Sequence, residues 1–164
     1  MILDESLTAR EMRAVEMNAE YLGISRLQLM ENAGRAVAEA VKDRFEKKKR
    51  VVTVCGLGGN GGDGFVAARH LAGEGYDVEV LLLGPSDRIR SKEALTNWKA
   101  IRRMRSSVRT VEILDSAEIQ LPEADVVIDA LIGTGVRCPL TPPFSQMVQA
   151  INKARGFKIA VDVP

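Results

Sequence analysis

Between Gly56 and Gly64 the chain reads GLGGNGGDG, placing an asparagine, Asn60, and an aspartate, Asp63, among glycines. Glycines let a backbone take positive φ and approach a ligand closely, and the first N–H groups of a helix starting here would face an anion with the positive end of the helix dipole. An anionic small molecule is the expected guest. Gly56, Gly58 and Gly61 satisfy the G-x-G-x-x-G dinucleotide spacing. The next strand argues against an ordinary nicotinamide dehydrogenase, because YDVEVLLL (Tyr76 to Leu83) ends in Gly84-Pro85 where a ribose-binding acid belongs. Glu79 lies in mid-strand and Asp87 in the following loop, and no Lys-Ser or Lys-Thr follows the glycines, which removes the P-loop reading.

A second constellation lies in DVVIDALIGTGVRCPL (Asp125 to Leu140), where Asp129 ends a buried strand before Gly133-Thr134-Gly135. A carboxylate there is costly unless donors or a positive charge meet it. The last strand, IAVDVP, puts Asp162 near its carboxyl end with Val161 and Val163 facing the other way. Asp63, Asp129 and Asp162 can therefore converge at one sheet edge. Three acids around a glycine turn can hold a hard cation or serve as general acid and base. The plainer alternatives are that Asp63 is the helix N-cap and that Asp129 bonds loop amides. His70 reads as a packed or partly exposed helix residue, and Trp98 and Tyr21 as core or interface anchors. Cys55 and Cys138 lack C-x-x-C spacing and, with one histidine in the chain, make no transition-metal cluster.

Positioning these groups needs a particular scaffold. Helical apolar spacing runs from Thr8 to Leu22 and through residues 27–45, separated by Gly23-Ile24-Ser25. Then come strand Val51 to Cys55, helix Asp63 to Ala72, strand Asp77 to Leu83, helix Ser91 to Met104, strands Thr110 to Leu114 and Asp125 to Leu131, helix Pro143 to Ala154 and strand Phe157 to Val163. The expectation is a single-domain, Rossmann-like three-layer α/β/α sandwich, its sheet mostly parallel, with two extra N-terminal helices. Ligands bind such sheets outside the strands' carboxyl ends, so the loops after Cys55, Leu83, Leu131 and Val163 carry the expected site.

Bulk composition names no partner: 164 residues, 46% apolar, formal charge +1. The basic runs Lys47 to Arg50 and Arg102, Arg103 and Arg105 fall near element ends as solvated charge, so no nucleic acid is expected. No apolar run reaches the roughly twenty residues of a membrane span and MILDESLTAR lacks the features of a secretory signal, so no membrane and a cytoplasmic location are expected. Met12, Val15, Met17, Tyr21 and Leu22 form an apolar stripe able to pack on the sheet or pair in a homodimer. Arg88 and Arg90 follow the second strand near where a 2′-phosphate would lie, or are solvated loop residues.

GLGGNGGDG, LMENAG (Leu29 to Gly34), DALIGTG (Asp129 to Gly135), Pro139-Leu140, Ile151-Asn152 and VDVP (Val161 to Pro164) follow in order and spacing the YjeF N-terminal domain family, the NAD(P)H-hydrate epimerases, which the whole chain resembles. The resemblance implies interconversion of the R and S forms of NADHX and NADPHX, which carry a hydroxyl on the reduced nicotinamide ring, for a fused or separate dehydratase. It places one substrate loop on Gly59, Asn60, Gly61, Gly62 and Asp63, and a second on Gly133, Thr134, Gly135, Val136, Arg137, Cys138 and Pro139. Asp162 contacts substrate and is the expected acid/base residue; a potassium ion falls on Asn60 and Asp129. Two departures stand out: Gly59 replaces the family's usual asparagine, and the family pattern continues past Pro164 with Ser-Gly, the serine a further potassium ligand, so the resemblance implies a truncated domain.

Overall fold

A computed structural model describes residues 7–134 and 139–162. The element order is α1 (Ala9–Tyr21), α2 (Arg26–Lys42), β1 (Arg50–Cys55), α3 (Gly59–Gly73), β2 (Asp77–Leu83), α4 (Lys92–Arg103), β3 (Val108–Ile113), β4 (Val126–Ala130), α5 (Phe144–Lys153) and β5 (Phe157–Ala160). All four strand pairings are parallel and the order is β3-β2-β1-β4-β5. The order reverses between β1 and β4, which opens a crevice at their carboxyl ends.

Strand composition follows from two-sided burial. β1 and β2 are almost continuously buried, because helices cover both faces and alternation of polar and apolar residues gives way to an apolar run. Val51, Cys55, Val80, Leu82 and Ile128 pack with Phe65, Leu71 and Trp98 beneath α2, α3 and α4, where Phe65 and Trp98 stack tilted at 5.2 Å. Val52, Val54, Leu81, Val127 and Leu131 meet Met147 and Ile151 of α5 on the other face. Trp98 is thus a core residue, whereas Tyr21 is 91% exposed and anchors nothing within the chain.

Two boundaries at the site depart from the sequence reading, and of the two alternatives for α1 one is set aside. α3 starts at Gly59 rather than Asp63, with Gly58 as N-cap, so Asp63 is no cap. Helix propensity misleads here, since a glycine-rich first turn is poor helix material that tertiary contact holds in place. β5 stops at Ala160 and Asp162 lies beyond it at φ 76°, so it is a turn residue and not a strand residue; Val163 falls outside the described residues. α1 does not pack on the sheet, and of its described side chains all but Ala19 are exposed.

None of the glycines from Gly56 to Gly64 has positive φ. They are glycines because of proximity: a Cβ on Gly61 would collide with the Gly56 carbonyl, and one on Gly56 with the Leu131 carbonyl. On Gly64 it would lie 2.7 Å from both Ala130 Cβ and Cys55 Sγ. Gly58 and Gly59 meet nothing within 4 Å. Denaturant unfolding is therefore expected to show Gly64→Val destabilised by about 3 kcal/mol through overpacking, with Gly59→Ala within ~0.5 kcal/mol of the parent. Equal losses at both positions would refute this division of the glycines.

Candidate active site

The site forms where the first turn of α3 overhangs the ends of β1 and β4. The LMENAG segment of α2 presses that turn down. Met30 covers Gly62, with its Sδ 2.6 Å from where a Cβ would stand, and Gly34 lies 2.5 Å by the same measure from the Asp63 carbonyl. Glu31 fastens the two helices further along, pairing with Arg69 and lying 2.7 Å from His70 Nε2. His70 is therefore a partly exposed surface partner, not a ligand.

Asn60, in the first turn of α3, donates from Nδ2 to the Ile132 carbonyl at 2.8 Å. This bond orients the amide and leaves Oδ1 buried without a partner. A buried oxygen lacking a donor costs about 1–3 kcal/mol, and such a group calls for an unlinked donor or a cation. Asp129, at the penultimate position of β4, accepts from its own loop at Leu131 N (3.1 Å) through Oδ1. Desolvation nevertheless raises its pKa, against the lowering effect of that bond. An amide oxygen with no donor and a carboxylate short of compensation are hard donors of the kind the potassium ion implied by the resemblance would need.

Asp162 accepts the Thr134 N–H at 2.9 Å, and its Oδ2 lies 2.5 Å from where a Gly133 Cβ would be. Asn60 Cβ is 3.6 Å from that same point. The second loop thus closes over the first through Gly133, which no larger residue can replace without moving Asp162. Asp63 is pushed up to about 7, first by burial, then by the negative charge of Asp162, then by Glu16 of α1. Asp162 is thus near enough for its charge to raise Asp63, while Asp129 bonds back to the Leu131 amide. Three acids do not converge on one ion: among the described residues no group of three His, Cys, Asp or Glu side chains could hold a metal. Gly59, Gly61 and Gly62 stand in the overhanging turn and Pro139 is exposed; Gly135, Val136, Arg137 and Cys138 lie outside the described residues.

Other groups play structural parts. Glu79 is buried and bound by Arg50 at 2.9 Å, which explains its mid-strand position without any ribose. Cys55 is fully buried, and burial, then Asp129 and Asp63, raise its thiol well above the usual range, so it packs rather than reacts. Arg88 and Arg90 are exposed, with no ion pair among the described residues. Sequence reasoning missed the Ile132 carbonyl, and nothing in the side-chain pattern signals a backbone acceptor.

Linkage gives a sign for Asp63. A carboxyl pKa raised from 3.8 to about 7 means the folded state binds the proton more tightly between those values. Stability is then greatest at the acid end of that window and is lost as pH rises toward 7, by at most ~4 kcal/mol at about 1.4 kcal/mol per pH unit. Urea midpoints from about pH 5 to about pH 8 in potassium-free buffer should fall for the parent and stay flatter for Asp63→Asn. Parallel profiles would show that Asp63 is not held in this state.

Comparison with known proteins places this geometry. Residues 26–164 match the family model described as YjeF-related protein N-terminus, a span that starts at α2 and leaves α1 outside. The bifunctional NAD(P)H-hydrate repair enzyme Nnr of Methanothermobacter thermautotrophicus is 49% identical over 157 residues, covering 94% of this chain and 30% of that protein. The NAD(P)H-hydrate epimerase of Cenarchaeum symbiosum is 36% identical, covering 96% of this chain and 73% of its own. The crystal structure of the yeast protein ynu0 superposes with a TM-score of 0.74 at 30% identity, over 93% of this chain and 68% of that one. The chain spans about a third of the length of the bifunctional relatives. With the matched span, the identities and the shared fold in agreement, the chain belongs to the YjeF-related N-terminal domain family.

Proposed function

We propose that this chain is an NAD(P)H-hydrate epimerase, interconverting the R and S forms of NADHX and NADPHX. The observation that carries the reading is Asp162, held beyond its strand at φ 76° with the Thr134 amide on its carboxylate, beside Gly133 and the Asn60 side chain whose Oδ1 is buried without a partner. The printed names of the relatives support it.

The chemistry required is local. For the hydroxyl-bearing ring carbon to change configuration, the hydroxyl leaves as water and water returns to the opposite face, with the ring nitrogen's electron pair carrying the cation between. Asp162 gives a proton to the departing hydroxyl and recovers one from the incoming water, so no proton is gained or lost overall. Asp63, pushed up to about 7, can carry or release a proton at neutral pH. The open N–H groups at the start of α3 receive the substrate's phosphates, with Gly58 and Gly59 leaving space for them. Gly133 and Thr134, at the start of the second substrate loop, would meet the ring end beside Asp162.

Asn60 and Asp129 would hold the potassium ion, which supplies positive charge to offset Asp129 and to draw substrate oxygens into place. On the same reading the domain works in the cytoplasm, as a homodimer, beside a dehydratase that is fused to it or separate. A single domain over 1–164 is part of this proposal. No helix among the described residues is long and apolar enough to cross a membrane. The alternative, a non-catalytic nucleotide-binding or scaffold module of the same fold, is less well supported, since a scaffold has no need to keep Asn60, Asp63 and Asp162 together.

The decisive experiment supplies R-NADHX with an S-specific dehydratase and follows NADH recovery with and without the chain, in potassium and in sodium. Potassium-dependent acceleration is expected, and Asp162→Asn should lower it by about 10²-fold or more with unchanged circular dichroism. A full rate in Asp162→Asn would remove that residue from proton transfer; no acceleration, with nucleotide still bound, would favour the scaffold. Asn60→Ala should abolish the difference between potassium and sodium in both rate and melting temperature, because it removes the oxygen that lacks a donor.

A further inference from the structure

Three contacts tie the segment after β2 to the glycine turn of the site. The Arg90 N–H donates to the Leu57 carbonyl at 2.9 Å. The Leu57 side chain lies 3.0 Å from where a Cβ on Gly84 would stand, and Ala94 Cβ lies 3.0 Å from the same point on Gly62. Gly84 is at φ 114°, which turns the chain as it leaves β2. The stretch from Gly84 to Ala94 therefore borders the site on the β2 side, and it is basic. Arg88, Arg90 and Lys92 are exposed and have no ion pair among the described residues, against Asp87 and Glu93 in the same stretch. The backbone beneath the two arginines is anchored: beside the Arg90 bond, Ser86 gives its N–H and its hydroxyl to Glu112 at 2.8 and 3.0 Å at the start of the short turn that ends in Arg88.

Strand order says what a cation on this side would meet. Asp162 and Gly133 mark the ring end of the site beyond β4 and β5, and the open N–H groups of α3 stand at the end of β1. A dinucleotide laid through both points has its adenosine over the carboxyl end of β2, the next strand in the order. A site made for the unphosphorylated dinucleotide places an acid there to accept from the ribose hydroxyls, and that acid would repel a 2′-phosphate. β2 instead ends in Leu83 and continues as Gly84-Pro85, while Glu79 is buried and bound to Arg50. A phosphate monoester carries about two negative charges at neutral pH, and a guanidinium meets it with paired N–H donors. We propose that Arg90 and Arg88 receive the 2′-phosphate of the adenosine ribose, making the phosphorylated hydrate, NADPHX, the preferred substrate of this chain. The inference rests on the epimerase reading, whose two substrates differ by this phosphate. Lys92 adds charge at the margin, and the ring chemistry is the same for both substrates.

Initial rates of the full chain with R-NADPHX and with R-NADHX, each coupled to an excess of S-specific dehydratase, test it. kcat/KM for R-NADPHX should exceed that for R-NADHX by about tenfold or more, and Arg88→Ala/Arg90→Ala should erase the difference through KM while leaving R-NADHX within about twofold of the parent. A merely structural role for the loop would lower both substrates together. Arg90→Lys should keep part of the preference, because it retains the charge and loses the fork. Calorimetry with 2′-phospho-ADP-ribose and ADP-ribose asks the same question without turnover: the parent should bind the first about tenfold more tightly, and the double alanine variant should bind both alike. That binding preference without epimerisation of either hydrate would sink the epimerase reading and leave the phosphate site standing. Equal kcat/KM for the two hydrates, equal binding of the two ADP-ribose probes by the parent, or a double variant that loses both substrates alike would each overturn the proposal.

Discussion

Everything at the site hangs on how near the first turn of α3 comes to the ends of β1 and β4. The Gly56, Gly61 and Gly64 positions lie against backbone or core atoms at distances that exclude a Cβ. That approach brings Asn60 within reach of the Ile132 carbonyl and fixes its amide, and it withdraws Asp63 from water. Move the turn outward by the width of one methyl group and the amide loses its acceptor, Asp63 rehydrates, and the anion-facing N–H groups no longer overhang the crevice. α2 is the clamp that keeps this from happening, since Met30 and Gly34 act on the same turn from the other side.

Buried charge is treated in two ways within the same sheet. Glu79 is buried in β2 and is met directly by Arg50, with Arg109 more distant at 3.8 Å. Asp63 and Asp129 are also withdrawn from water, yet no arginine or lysine among the described residues answers them, and desolvation is the first cause of the rise at both. A fold that can supply a guanidinium to one carboxylate and leaves two others uncompensated at the mouth of its crevice is holding them for something that arrives from outside. Asn60 Oδ1 is likewise buried without a partner among the described residues.

The sheet was legible in the sequence because its strands are continuous apolar runs bounded by glycine and proline, and because helix and strand alternate without interruption. The start of α3 was not, since Gly59, Gly61 and Gly62 are weak helix formers, and it is the packing of Gly61 on Gly56 and of Gly62 on Met30 and Ala94 that holds the turn. The glycines were read for conformational freedom, whereas their role here is space. Site membership was partly legible: Asp162 and Asn60 are near one another beside Gly133, Asp129 sits in register between Val54 and Ala160, and among the described residues no three acids form a metal-holding group. The stripe on α1 was visible as apolar spacing, but whether it faced inward could not be read from spacing alone.

The end of β5 shows why a left-handed residue is needed where strand alternation would otherwise rule. Val161 is buried with the α3-side core and its N–H still reaches the Asp129 carbonyl at 2.9 Å. Continued as strand, the next residue would point to the opposite face, toward α5 and away from Asp63. At φ 76° the chain turns instead, and the carboxylate of Asp162 comes under the Thr134 amide and over Gly133, on the side from which it raises Asp63. Aspartate tolerates this conformation better than β-branched residues because its short polar side chain can bond locally. The single dihedral that breaks the strand thus carries the carboxylate from the sheet edge onto the Thr134 amide and the Gly133 backbone.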